Sequence, residues 1–251
     1  MSPTYKSFGY SDVGLRKNNE DMWAELAENN FFVLADGMGG HVAGEVASRE
    51  AVLHFCDAVD KYFRSKAPPT LPSAKRYLGE TFISANSWLR RLSRDHPDLS
   101  GMGTTLCCLL FLQNTVIIGH VGDSRIYRFH RRHEDAASKG ALENLCRLTT
   151  DHCLDPTSGN CKHLLTRAIG ISPAIVPELL ELPTSIHDVY LLCSDGLHDV
   201  LSDKEIGTIV NQPLPLKEIA LQLVTAAKQK GSRDNITVLL VEVEHGEWWN
   251  R

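Results

Sequence analysis

A chain of 251 residues, 43% of them hydrophobic, is long enough to bury a large core as a single domain. Its formal net charge of −5 and pI near 6.1 set up no global field for nucleic acid or a membrane surface. No long apolar run is free of charge, and Asp12, Arg16, Lys17 and Glu20 break the start of the chain, so neither a membrane span nor a signal peptide is expected and the cytoplasm is the assigned compartment.

The chain opens with β-type runs at 4–10, 22–27 and 31–35, bounded by Gly, Asn and Asp. From Ala43 through Ala47, Ala51, Phe55, Ala58 and Tyr62 apolar residues recur every three or four positions, the mark of one buried helix face. The Pro-rich stretch 67–72 reads as a helix-to-helix loop. Ser73 is the candidate cap of a second helix that turns Leu78, Phe82, Ala85, Leu89 and Leu92 inward. Strands are expected at 104–112, 115–121, 125–129, 145–149, 176–181 and 188–194, with the basic run RFHRRH at 128–133 as a solvated loop. Ser202 and Glu205 form a capping box, stapled by Leu201 and Ile206, and Leu216, Ile219, Ala220, Leu223 and Ala227 mark a fourth helix before a last strand at 236–243. The links between consecutive strands are too short for parallel crossovers, and helices come in pairs. The chain therefore reads as α+β, antiparallel sheets covered by helices, with one domain over 1–245 and a short tail over 246–251.

Seven cysteines, an odd number, lie mostly in apolar runs (Cys107, Cys108, Cys193) or a helix-like stretch (Cys56), which suits reduced thiols better than a disulfide framework. His152, Cys153, Cys161 and His163 are zinc-capable types close in sequence. They lack a CxxC pair, and neighbours such as His152 and Cys153 point different ways, so a loop is the expectation there.

Acids recur where apolar runs end: FFVLA meets Asp36-Gly37, VYLLCS meets Asp195-Gly196, VIIGHV meets Gly122-Asp123, and Asp234-Asn235 precedes ITVLLVEV. Asp-Gly is a strong hairpin signal, but a hairpin needs a strand on both sides, and a helix follows Asp36 while a short loop and the capped helix at 202 follow Asp195. Asp123, followed by RIYRF, reads alone as an ordinary turn. Glycines at 37, 39, 40 and 44 miss the G-x-G-x-x-G spacing, and no Walker GK[ST] is present. If these acids converge, two carboxylates about 4 Å apart repel by roughly 4 kcal/mol at an effective dielectric near 20. Protons or cations must then sit among them, and an all-oxygen cluster suits Mg²⁺ or Mn²⁺.

The segments SDVGLRKNNED, VLADGMGGHVAGEVAS, GMGTTL, VGDSRIY, LTTDH, LTRAIG, LLCSDGLHDVLS and GSRDNITVLLV resemble, in order, the motif set of the metal-dependent protein serine/threonine phosphatases, the protein phosphatase 2C family, in its bacterial form. The resemblance implies a four-layer αββα sandwich, two central antiparallel β-sheets flanked by pairs of α-helices, with the metal site at one end. It implies that Asp36 bridges two ions, Mg²⁺ or Mn²⁺, that the Gly37 carbonyl binds one and Asp195 and Asp234 the other, and that Asp123 with Asp195 holds a weaker third. Glu20 and Asp21 match acids that hold metal-bound water, Arg16 matches the arginine that grips the substrate phosphate, and His41 is the candidate general acid. The activity implied is hydrolysis of phosphoserine and phosphothreonine by in-line attack of a metal-bridging hydroxide. The substrates are expected to be phosphoproteins of a cognate Ser/Thr kinase and the enzyme a monomer. A catalytically silent scaffold and a hydrolase of small phosphate monoesters are the alternatives.

Two features depart from the family pattern. Leu15 alone separates Gly14 from Arg16 where two residues are usual, which leaves Lys17 as a substitute for Arg16. Residues 153–164 are shorter than the flap of bacterial relatives, so an exposed metal site and broad phosphopeptide tolerance are expected.

Overall fold

Continuous apolar runs in this chain become strands buried on both faces. The computed structural model describes residues 3–39, 42–65, 68–131, 145–154 and 165–246. The strands are β1 (Pro3–Asp12), β2 (Asp21–Leu26), β3 (Phe31–Met38), β4 (Gly103–Thr104), β5 (Leu106–Leu112), β6 (Thr115–Val121), β7 (Arg125–His130), β8 (Leu145–Arg147), β9 (Glu178–Pro183), β10 (Asp188–Cys193) and β11 (Ile236–His245). The α-helices are α1 (Val42–Phe63), α2 (Leu71–Asp95), α3 (Asp195–His198), α4 (Asp203–Val210) and α5 (Leu216–Gln229). One sheet runs β1-β11-β10-β7-β8 and the other β2-β3-β5-β6-β9, with β4 paired to β3, and every pairing is antiparallel.

The period of two sorts each run between layers. Phe31, Val33 and Ala35 face the α1/α2 pair, whereas Phe32 and Leu34 face the other sheet. Likewise Val189, Leu191 and Cys193 face α4 and α5 while Tyr190 and Leu192 fill the space between the sheets. Three apolar layers thus lie between four structural ones, the αββα sandwich. Among the described residues no helix is long and apolar enough to cross a membrane, and the described cysteines are free thiols.

Several local expectations change. The cap of α2 is Thr70, with Ser73 as its reciprocal partner at the third helical position; Pro72 sits in the first turn, where its missing N–H costs nothing. Along α1 the buried residue is Val59, and Ala58 is half-buried, because the face rotates as 3.6 residues per turn drifts from a spacing of four. The expected strand 104–112 is interrupted at Thr105, and the stretch after Asp195 is a helical turn rather than a loop. The basic run is not a loop where it is described: Arg128, Phe129 and His130 belong to β7, and Arg131 donates to the Val210 carbonyl and pairs with Glu242. The capping box at Ser202 and Glu205 forms, with Leu201 and Ile206 buried around it.

Candidate active site

β3 does not end at Ala35. It continues through Asp36, Gly37 and Met38, because Gly37 and Met38 pair with β4. Asp36 is therefore held on a strand, its N–H donating to Thr105 Oγ1 at 2.9 Å and its carbonyl accepting from Thr105 N–H at 2.9 Å. Gly37 lies against α1 so closely that a Cβ would stand 2.0 Å from the Gly44 carbonyl oxygen, which only glycine permits. The same hydroxyl of Thr105 meets Ser124 Oγ at 2.7 Å, tying β3 to the turn that carries Asp123.

Asp195 opens α3, and the chain there packs backbone to backbone on the start of β11. A Cβ on Gly196 would fall 1.9 Å from the Asn235 carbonyl oxygen, so glycine is what brings Asp195 beside Asp234. Asn235 then organises the loop between β1 and β2. Its Nδ2 donates to the carbonyls of Val13 (2.9 Å) and Asn18 (3.0 Å), and its Oδ1 accepts from Glu20 N–H at 2.8 Å. That loop delivers Arg16, whose Nη2 lies 2.6 Å from Asp234 Oδ2.

Asp36, Gly37, Asp123, Asp195, Asp234 and Arg16, together with Glu20, line one cavity of about 630 Å³. Asp21 sits behind its wall, buried, where Oδ2 accepts from Ser194 Oγ (2.8 Å) and Thr237 Oγ1 (2.6 Å) and Oδ1 has no partner. His41, Cys161, His163 and both C-terminal tryptophans lie outside the described residues. His152 and Cys153 do point apart: Nδ1 of His152 accepts from Gly122 N–H, and Sγ of Cys153 faces Asp123 Oδ2 at 3.5 Å.

The acids raise one another's affinity for protons. Burial, then the charges of Asp21, Asp195, Asp123 and Asp234, holds the Asp36 carboxyl well above the usual carboxylate range. Burial, then Asp123 and Asp234, does the same to Asp195. Burial pushes Asp21 up to about 6, and chiefly burial raises Asp123. The hydrogen bond to Asp234 raises Arg16 further. A cluster with this much mutual repulsion calls for cations, and its donors are all oxygen: none of the described lining residues is His or Cys. The residues therefore fit hard divalent ions such as Mg²⁺ or Mn²⁺.

The turn reading of Asp123 is incomplete, since the turn also presents its carboxylate to the cavity. Thr105, Ser124, Ser194, Asn235, Thr237 and His198 escaped the sequence reading. His198 Nε2 lies 3.0 Å from the Asp123 carbonyl oxygen. The signal that could have found most of them is a small polar residue adjacent to, or three positions from, each strand-end acid, in GDS, CSD and DNIT.

The chain is similar to known proteins over most of its length. The family description Protein phosphatase 2C matches residues 9–240. The chain is 34% identical over 246 residues to a serine/threonine phosphatase, stp, of Listeria monocytogenes, covering 91% of each chain. It superimposes on the crystal structure of the Mycobacterium tuberculosis serine/threonine phosphatase PstP/Ppp with a TM-score of 0.79 at 33% identity, over 96% of this chain and 99% of that one. The catalytic domain of PstP in complex with 2 manganese ions matches with a TM-score of 0.79 at 32% identity, over 97% of this chain and 100% of that one.

Proposed function

The chain belongs to the protein phosphatase 2C family and is a metal-dependent protein serine/threonine phosphatase, and from that premise we propose how its own residues divide the work. Asp36, the Gly37 carbonyl, Asp195 and Asp234 hold two divalent ions, and Asp123 with Asp195 holds a weaker third. The observation that carries this is the convergence of Asp36, Asp123, Asp195 and Asp234 on one cavity, where burial and neighbouring carboxylates hold Asp36 and Asp195 well above the usual carboxylate range. The two manganese ions of the PstP complex support the count. Divalent ions there supply Lewis acidity toward the phosphoryl group and make water acidic enough to attack near neutral pH.

The protein's part is to position and neutralise. Arg16 is held over the cavity by Asp234, and a guanidinium there can take two phosphate oxygens at once, which orients the ester for in-line displacement. Asp21 and Glu20 orient water from behind the wall and at its rim. With water activated by the ions as the attacking group, no protein nucleophile is needed, and a single displacement without a covalent protein intermediate is the course we assign. The substrates are phosphoproteins, which we assign to a cognate Ser/Thr kinase.

The test compares turnover of a phosphothreonine peptide and of p-nitrophenyl phosphate, with and without Mn²⁺, by the native chain and by Asp36→Asn. Metal-dependent cleavage of the peptide that Asp36→Asn abolishes is expected. Metal-independent turnover, or full activity of Asp36→Asn, overturns the assignment.

A further inference from the structure

A second set of ligand-type side chains converges outside the acid-lined cavity. His120 on β6 and Glu178 on β9 are Cα partners in the antiparallel ladder. His152 reaches them from the segment after β8, and one donor atom from each of the three lies within 4.8 Å of the others. The two imidazole centroids are 4.8 Å apart, and none of the three residues lines the catalytic cavity. His120 is fully buried, and its ring nitrogens make no well-formed hydrogen bond, only a weak approach to the Ser124 backbone, while Oε2 of Glu178 is also buried and unpartnered. Their closest approach, Nδ1 to that oxygen, is 3.5 Å. Buried polar atoms left bare lose their water and gain nothing, so bare atoms of two residues beside a third ligand-type side chain point to an occupant.

We propose that His120, His152 and Glu178 form a transition-metal site for Zn²⁺ or an ion of similar softness, separate from the hard-ion centre. Two imidazoles and one carboxylate suit Zn²⁺ and leave a fourth position open, whereas Mg²⁺ prefers oxygen alone. Donors on a tetrahedral Zn²⁺ stand about 3.3 Å apart given bonds of about 2.0–2.1 Å, so the observed spread closes by side-chain rotation. Arg167 Nη1 now lies 3.4 Å from His152 Nε2. A metal bound through Nε2 displaces that guanidinium and moves the ring proton to Nδ1, turning the ring from the Gly122 N–H that now donates to it.

This gives the site a route to the catalytic cavity. Arg167 lines that cavity, and Cys153, next to His152, touches Asp123. Occupancy therefore releases Arg167 toward the substrate side and exchanges the His152 bond to Gly122, next to Asp123, for a metal bond.

Bound metal is the direct test. The full chain, held in a large excess of Mg²⁺ to occupy the oxygen-lined centre, is dialysed against micromolar Zn²⁺ and its zinc counted; Co²⁺ is read in parallel by visible absorption, where nitrogen-ligated four-coordinate cobalt is intense and six-coordinate oxygen-ligated cobalt weak. One zinc per chain is expected for the native protein and for Asp36→Asn, with loss in His152→Gln and Glu178→Gln, and the intense cobalt band is expected to vanish in the same variants. Melting curves confirm that each variant folds. No zinc retained against Mg²⁺, equal zinc in both variants, or a native cobalt spectrum without the intense band overturns the proposal, and the last readout needs no variant.

Discussion

Asp21 and Asp36 are Cα partners across β2 and β3, yet only Asp36 opens onto the cavity while Asp21 turns to the other sheet and accepts hydrogen bonds from Ser194 and Thr237. Asp21 is thus a bolt between the two sheets at the end where the acids meet. Asp21→Ala removes two hydrogen bonds to a carboxylate, although Thr237 Oγ1 keeps Ser11 Oγ and Ser194 Oγ still accepts from Thr237 N–H. Bonds to a charged group contribute about 1.5–3 kcal/mol each, offset by removal of a carboxyl whose burial is itself unfavourable. A net loss of about 1–3 kcal/mol is expected in urea unfolding at neutral pH. Activity should fall roughly 10–100-fold, the range for partners that orient a metal's ligands. Asp21→Asn keeps an acceptor and the shape, so it should recover most of the stability. Equal stability of native and Ala variants would refute the bolt.

Asp36 sits at the centre of the repulsion, so its neutral isostere should separate stability from function. With chelator present, Asp36→Asn removes a carboxyl that near neutral pH must take up a proton on folding, because burial and four other acids oppose its charge. Its melting temperature should therefore exceed that of the native chain by several degrees, since about 1 kcal/mol corresponds to roughly 2–4 °C for a protein of this size. The same variant should lose phosphatase activity and most of its stabilisation by Mn²⁺. Calorimetry with and without EDTA measures both.

Proton and metal compete for these carboxylates, which fixes a pH trend. Asp21, at about 6 when folded against 3.8 unfolded, and Asp36 and Asp195, raised still further, bind more protons in the metal-free folded state than in the unfolded one. Their contribution is fully present below about pH 4 and is lost as pH rises through 6 and beyond. His120, His152 and His198, pushed down to about 4 chiefly by burial, act oppositely in the window below 6.5, so the raw slope mixes the two. The difference between melting temperatures in Mn²⁺ and in EDTA isolates the acids. It should grow from about pH 5 to about pH 7, because ligation requires deprotonated carboxylates. A difference that is flat or shrinks would contradict the acid cluster as the ion's seat.

The layers were readable because a strand buried on both faces has no polar alternation to hide it: FFVLA, LCCLLFL and VYLLC can be little else. The acids were readable for the opposite reason, a charge where an apolar run stops. What could not be read was how the polar supports of one segment serve another. Thr105 holds Asp36 and Ser124 at once, and Asn235 holds a loop more than 200 positions away. Such contacts depend on which strand ends meet, which local pattern does not encode. The pairing of His120 with Glu178 was hidden likewise, since β6 and β9 meet only through the sheet order. Thr70 over Ser73 was missed for a smaller reason, that both are good caps and the choice turned on Pro72 fitting the first turn.

Arg16 carries the last prediction, because the shortened spacing after Gly14 left Lys17 as a rival. The loop bonded to Asn235 sets Arg16 Nη2 on Asp234 and into the cavity lining, whereas Lys17 is absent from that lining. An ion pair this exposed contributes about 0–1 kcal/mol to stability, so Arg16→Ala should leave the melting temperature nearly unchanged. Lost charge-assisted bonds to the phosphate should instead lower kcat/KM for a phosphothreonine peptide by roughly 10–100-fold, equivalent to about 1.5–3 kcal/mol. Arg16→Lys should recover little, since a lysine ammonium cannot span two phosphate oxygens in the guanidinium's planar fork. Lys17→Ala is the control and should retain native kinetics. If Lys17→Ala loses activity and Arg16→Ala does not, the phosphate is gripped one residue further along the chain, and the Arg16 to Asp234 contact is only a surface ion pair.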